Sequence, residues 1–133
     1  MKRLAPLLAA LALAGCGAQA QPSSVDKFKD PEEQAVAQKV EDLQDAGESR
    51  KPEDICSDIL AGSLVQQLEA AGVKCADEME KAIDDADDFD LEVQDVNVSG
   101  STATAEVRRG DEGPTVTMEF TKENGQWRAT SLS

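Results

Sequence analysis

The chain predicts an α+β fold: N-terminal helices packed on a curved antiparallel four-stranded meander. Three observations lead there. Apolar residues between positions 31 and 85 recur at helical spacing, between recognisable start and stop signals. After Phe89 the period changes from about 3.6 to 2. Short turn sequences then divide the remainder into strands, Asn124-Gly125 being the strongest hairpin signal of the chain.

The first helix opens at Asp30-Pro31-Glu32-Glu33. Asp30 is placed to cap, Pro31 suits the first helical position, and Glu33 completes a capping-box-like pattern. Val36, Val40 and Leu43 fall on one face and Gln38, Glu41 and Asp45 on the other, with Gly47 as the stop. Pro52-Glu53-Asp54 starts a short second helix that turns Ile55, Cys56, Ile59 and Leu60 inward, until Gly62-Ser63 breaks it. Ser63 caps a third, carrying Leu64, Val65 and Leu68 and ending at Gly72. A fourth runs from Ala76 to Asp85 with Met79, Ala82 and Ile83 apolar.

In the second half Leu91 and Val93 alternate, then Val96 and Val98 resume in the opposite phase. A bulge near Gln94-Asp95 reconciles the two. Ser99-Gly100 and Gly110-Asp111-Glu112-Gly113-Pro114 are turns. Ala103, Ala105 and Val107 face one way in the second strand. Val116, Met118 and Phe120 do so in the third, and Trp127, Ala129 and Ser131 in the fourth. One face of this meander is polar, so the helices must cover the other.

A chain of 133 residues with net charge −14 and no histidine excludes several roles. Such an acidic surface repels nucleic-acid phosphate and anionic lipid head groups. The core is thin. From Cys16 onward Leu, Ile, Val and Phe make up 22 of 118 residues, near the level at which high charge favours disorder. Periodicity and the twelve alanines of residues 30–133 argue for a shallow packed core instead.

The N-terminus is a leader: Lys2 and Arg3 precede an apolar run, Leu4 to Leu13, that is too short to span a bilayer. It ends in Leu13-Ala14-Gly15-Cys16, which resembles the lipobox of bacterial lipoproteins. That resemblance implies removal of residues 1–15 and a diacylglyceryl group on Cys16. Loss of Lys2 and Arg3 then takes the net charge from −14 to −16. Residues 16–29 become the lipidated cysteine and a flexible tether reaching roughly 20 Å, and 30–133 the single domain. The implied location is the cell envelope, lipid-anchored on the extracytoplasmic face of the membrane. With Cys16 acylated, Cys56 and Cys75 remain as a pair outside the cytoplasm, where a disulfide is the usual outcome. A zinc site would need further ligands, and there is no histidine to supply them.

Two spaced cysteines in a helical half, followed by a meander ending in Asn124-Gly125-Gln126-Trp127-Arg128, are similar to the nuclear-transport-factor-2-like (cystatin-like) domains of many actinobacterial lipoproteins. The resemblance covers residues 30–133. It implies a cone of sheet and helix with an internal pocket, shallow or absent here because strands are few. Met118, Phe120 and Trp127 are the residues that would line it, although an inward aromatic on a terminal strand is more often core.

The remaining candidates are polar. Asp85, Asp87, Asp88 and Asp90, within an acidic run from Asp84 to Glu92, have the oxygen ligands for Ca²⁺ but not the spacing of an EF-hand, and read rather as a solvated connector. Arg108, Arg109 and Arg128 concentrate positive charge on the sheet, to receive an acidic partner or to balance carboxylates. Asn97-Val98-Ser99 matches a glycosylation pattern by coincidence. No catalytic residue is assigned and no cofactor is expected. Asp95, beside the bulge, is the one carboxylate a distorted strand could redirect inward.

These readings make the chain a non-catalytic binding or protein-interaction module, with the membrane as partner through the lipid, an envelope protein or small ligand as second partner, and no nucleic acid. The alternatives are a small-molecule enzyme of the same fold using a buried carboxylate, and a cation-binding surface at residues 84–92.

Overall fold

A computed structural model describes residues 24–86 and 89–132. Cys16 and most of the expected tether, like Asp87 and Asp88, lie outside the described residues. The fold is α+β. Helices α1 (Pro31–Glu48), α2 (Pro52–Asp54), α3 (Gly62–Ala70) and α4 (Cys75–Asp85) precede strands β1 (Leu91–Ser99), β2 (Thr102–Arg109), β3 (Thr115–Glu123) and β4 (Gln126–Ser131). The strands form one antiparallel sheet in the order β1-β2-β3-β4.

Asp30 caps α1 as expected: its carboxylate accepts from the backbone N–H groups of Glu32 and Glu33, and Pro31 follows. Val36, Ala37 and Val40 are fully buried on the face turned to the sheet. Gly47 does not stop the helix, which continues to Glu48. It is a close-approach residue, because a Cβ there would lie 2.5 Å from Phe89 Cδ1. The left-handed position after the helix is taken by Arg50, at φ 55°.

α2 passes directly into a π-helical turn, Ile55–Ile59, closed by Leu60 N–H donating to Ile55 O at 2.9 Å. The break after it is not Gly62-Ser63. Leu60 and Ala61 are extended and buried, Leu60 bridges Ala129 in parallel, and Ala61 N–H donates to Ala129 O at 2.8 Å. Gly62 then opens α3, so Ser63 lies inside that helix rather than capping it.

The sheet follows the alternation. Val93, Val96, Ala103, Ala105, Val107, Met118, Phe120, Trp127 and Ala129 are buried on the helix side. Thr102, Glu106, Thr115, Thr117 and Glu119 are exposed on the other. The register shift between Val93 and Asp95 is the expected bulge, and it keeps Val93 and Val96 on one face. A second shift, between Glu119 and Phe120, had no signal in the sequence. Asn124 and Gly125 both have positive φ, 52° and 77°, as a type I′ hairpin requires.

Residues 24–28 correct the expected tether. They form a short 3₁₀ turn (Ser24–Lys27) and its exit, seated against α1 and β1. Ser24 is buried; its N–H donates to Glu41 Oε1 at 2.7 Å and its Oγ accepts from Val93 N–H at 3.4 Å. Lys27 Nζ reaches Glu92 Oε1 at 3.1 Å and Val93 O at 3.4 Å. The turn thus covers part of an edge strand that would otherwise offer unpaired backbone groups.

Candidate functional site

α1 lies directly on the sheet, whereas α4 is packed on α2, the π turn and α3. The fixed point of α4 is its first residue: Cys75 is bonded to Cys56 of the π turn, with the two Cα atoms 6.1 Å apart. The expected disulfide is therefore present. Held in this way, α4 stands off the sheet, and a cleft of about 210 Å³ remains between them.

The cleft is mainly apolar. Leu43 and Gly47 of α1 and Ile55 of the π turn form one wall. Met79, Ala82, Ile83 and Ala86 at α4 form another, and Val107, Val116 and Met118 of the sheet form the floor. Phe89, Leu91 and Leu132 complete it. Phe89 can stand against α1 only because Gly47 lacks a Cβ. Among the described residues the single charged one of the lining is Arg109, at the exposed end of β2.

Arg109 is placed by its own main chain. Its N–H donates to Pro114 O at 3.2 Å across the β2–β3 turn. Its carbonyl oxygen lies 1.6 Å from where a Cβ of Gly113 would stand, so this turn closes only over glycine. Nη2 donates to Leu132 O at 3.2 Å, and among the described residues no carboxylate pairs with this guanidinium.

The other arginines are engaged elsewhere. Arg108 pairs with Glu92 at 2.6 Å, and Arg128 donates to Ser57 O. The Lys27 hydrogen bond, then the charge of Arg108, hold the Glu92 carboxyl below the usual carboxylate range.

Of the expected pocket residues, only Met118 lines the cleft. Phe120 and Trp127 are buried in the core, 2% and 3% exposed. Asp95 is exposed and accepts from Asn97 Nδ2 at 3.1 Å, so the bulge does not turn it inward. Asp84 pairs with Arg50, Asp85 is exposed, and Asp90 uses its carbonyl to hold Gly110 N–H at 2.8 Å. A second, polar hollow is bordered by Asp42, Asp45, Asp54 and Asp58 beside Lys51. Among the described residues no group of three or more acidic, cysteine or histidine side chains is arranged to hold a metal ion.

The sequence readings missed the roles of Gly47, Phe89 and Arg109. Phe89 served only to mark the change of period, and Arg109 was one of three clustered arginines. No helix among the described residues is long and apolar enough to cross a membrane. No family model, curated protein or solved structure matches the chain.

Proposed function

We propose that the chain is a lipid-anchored, extracytoplasmic binding module of the cell envelope, whose cleft holds a small apolar ligand without transforming it. The observation that carries this reading is the cleft. It is preformed, mainly apolar, and among the described residues lined by no side chain able to exchange a proton near neutral pH. The Leu13-Ala14-Gly15-Cys16 match supports the anchor, and the resemblance to nuclear-transport-factor-2-like domains supports a ligand-holding role for the helix side of the sheet. An apolar cavity of about 150 Å³ accommodates benzene, so 210 Å³ suits a body somewhat larger than one ring.

The test uses the full chain carrying Cys16→Ser, purified without detergent, and the uncharged fluorescent two-ring probe naphthalene. Saturable binding at one site is expected, and Ala82→Phe, which places a ring in the cleft from an exposed helix position, should abolish it. Binding undiminished in a folded Ala82→Phe variant places the probe elsewhere and removes the basis of the reading.

A further inference from the structure

We infer that the ligand is an amphiphilic anion: an apolar body of about eight carbons enclosed between α4 and the sheet, with a single acidic group at the Arg109 guanidinium. This deepens the binding-module reading and rests on it. Three observations lead to the inference. Among the described residues the walls supply no hydrogen-bonding side chain except Arg109, so a ligand bearing several polar groups would leave most of them unpaired. Arg109 is held at the cleft by Pro114 O through its main chain and by Leu132 O through its side chain. A guanidinium carries five N–H donors, and one carbonyl contact leaves the capacity to receive a carboxylate, sulfate or phosphate oxygen pair. The third observation concerns charge. In a chain of net −14, a cation that no described carboxylate neutralises, beside a hollow whose other described lining residues are uncharged, is a local reversal of sign.

Size selects further within this class. The cleft falls below the roughly 300 Å³ at which drug-sized pockets begin. Long-chain fatty acids and two-chain phospholipids are therefore excluded as fully enclosed ligands. A medium-chain acid or a substituted aryl acid fits, with the head group left at the solvent edge where Arg109 is exposed.

Four eight-carbon probes test the inference on the full chain with Cys16→Ser: octanoate, octyl sulfate, 1-octanol and octylammonium. Calorimetry should rank octanoate or octyl sulfate above octanol by about tenfold or more, as charge-assisted hydrogen bonds usually do. Octylammonium should bind most weakly. The comparison of octanoate with octyl sulfate identifies which acidic group is preferred. Arg109→Gln should remove the advantage of the anions over octanol, and a retained cooperative thermal unfolding transition shows that the variant is folded. Arg109→Lys should restore part of it. If octanol equals both anions, if octylammonium binds best, or if Arg109→Gln changes nothing, the inference is overturned and the apolar cleft stands. If none of the four binds in the cleft, the binding-module reading fails with it.

Discussion

Trp127 Nε1 donates to Glu32 Oε2 at 2.6 Å, joining the last strand to the first turn of α1 across 95 residues of sequence. The same carboxylate accepts from Lys122 Nζ at 2.7 Å, and that ammonium lies 5.6 Å from the centre of the indole ring. A cation, an indole N–H and a helix N-terminus converge on one carboxylate, and each favours its charged form. Trp127 thereby satisfies the polar edge of an otherwise buried ring.

This latch has a pH signature. The Lys122 hydrogen bond first, and the Trp127 hydrogen bond next, hold the Glu32 carboxyl below its ordinary value. A depressed folded-state pKa contributes stability that is present above the unfolded value, about 4.3, and is lost as pH falls through the folded one. The thermal midpoint of the native chain should exceed that of Glu32→Gln near pH 7, and the difference should shrink as the medium is acidified below about pH 4. The depressed carboxyl of Glu92 is common to both proteins and cancels. A difference that stays constant from neutral pH into strong acid would show that the charge of Glu32 contributes nothing.

Gly47→Ala tests the packing of Phe89. In an unconstrained helix the change gains up to about 1 kcal/mol. Here the new Cβ would meet Phe89 Cδ1 at 2.5 Å and Cε1 at 2.8 Å, and overpacking typically costs about 1–3 kcal/mol. Net destabilisation in urea unfolding is expected, and the sign should reverse in a Phe89→Ala background. Stabilisation in the native background would mean that the ring moves aside freely.

Much of this architecture was legible in the sequence because it rests on local chemistry. Asp30-Pro31 announces its helix, Asn124-Gly125 its hairpin, and the phase change between Val93 and Val96 its bulge. What could not be read depends on partners far along the chain. Gly47 has the look of a helix stop, and only the approach of Phe89 shows why a side chain is excluded. Ser24 to Phe28 have the composition of a linker, yet Glu41 and Val93 hold Ser24 in place. Arg109 looks like its neighbour Arg108, but alternation turns the two to different surroundings: Glu92 for one, the cleft for the other. A pocket along β3 and β4 was expected at Met118, Phe120 and Trp127. Packing of α1 fills the end where the last two lie, and the stand-off of α4 opens the other.

The disulfide sets that stand-off. Cys56 and Cys75 are 19 residues apart, and closing such a loop contributes roughly 3 kcal/mol by chain entropy. That is a large share of the total for a small domain. Cys56→Ala with Cys75→Ala should lower the urea midpoint accordingly and weaken probe binding, since α4 loses its anchor at one end. Alkylation of the unreduced protein should label neither position. Labelling of both would contradict the bridge.

The proposed function places the lipid anchor on Cys16. Cells expressing the native chain should carry it in the detergent phase, shortened by residues 1–15 and heavier by its acyl groups. Cys16→Ser should appear as an unprocessed precursor or in the medium. Normal maturation and full detergent partition of the variant would contradict the lipoprotein reading.

The central claim, that the hollow between α4 and the sheet is a ligand site, is tested most directly by methyl NMR of the Cys16→Ser chain titrated with 1-octanol. Burial of about seven methylenes, at roughly 0.8 kcal/mol each, corresponds to a Kd of about 0.1 mM. Saturable shifts are expected at Leu43, Met79, Ile83, Val116 and Met118, which line the cleft, with Val36 and Val40 on the same first helix unmoved. Shifts scattered over the surface, or none at millimolar octanol, would contradict the claim.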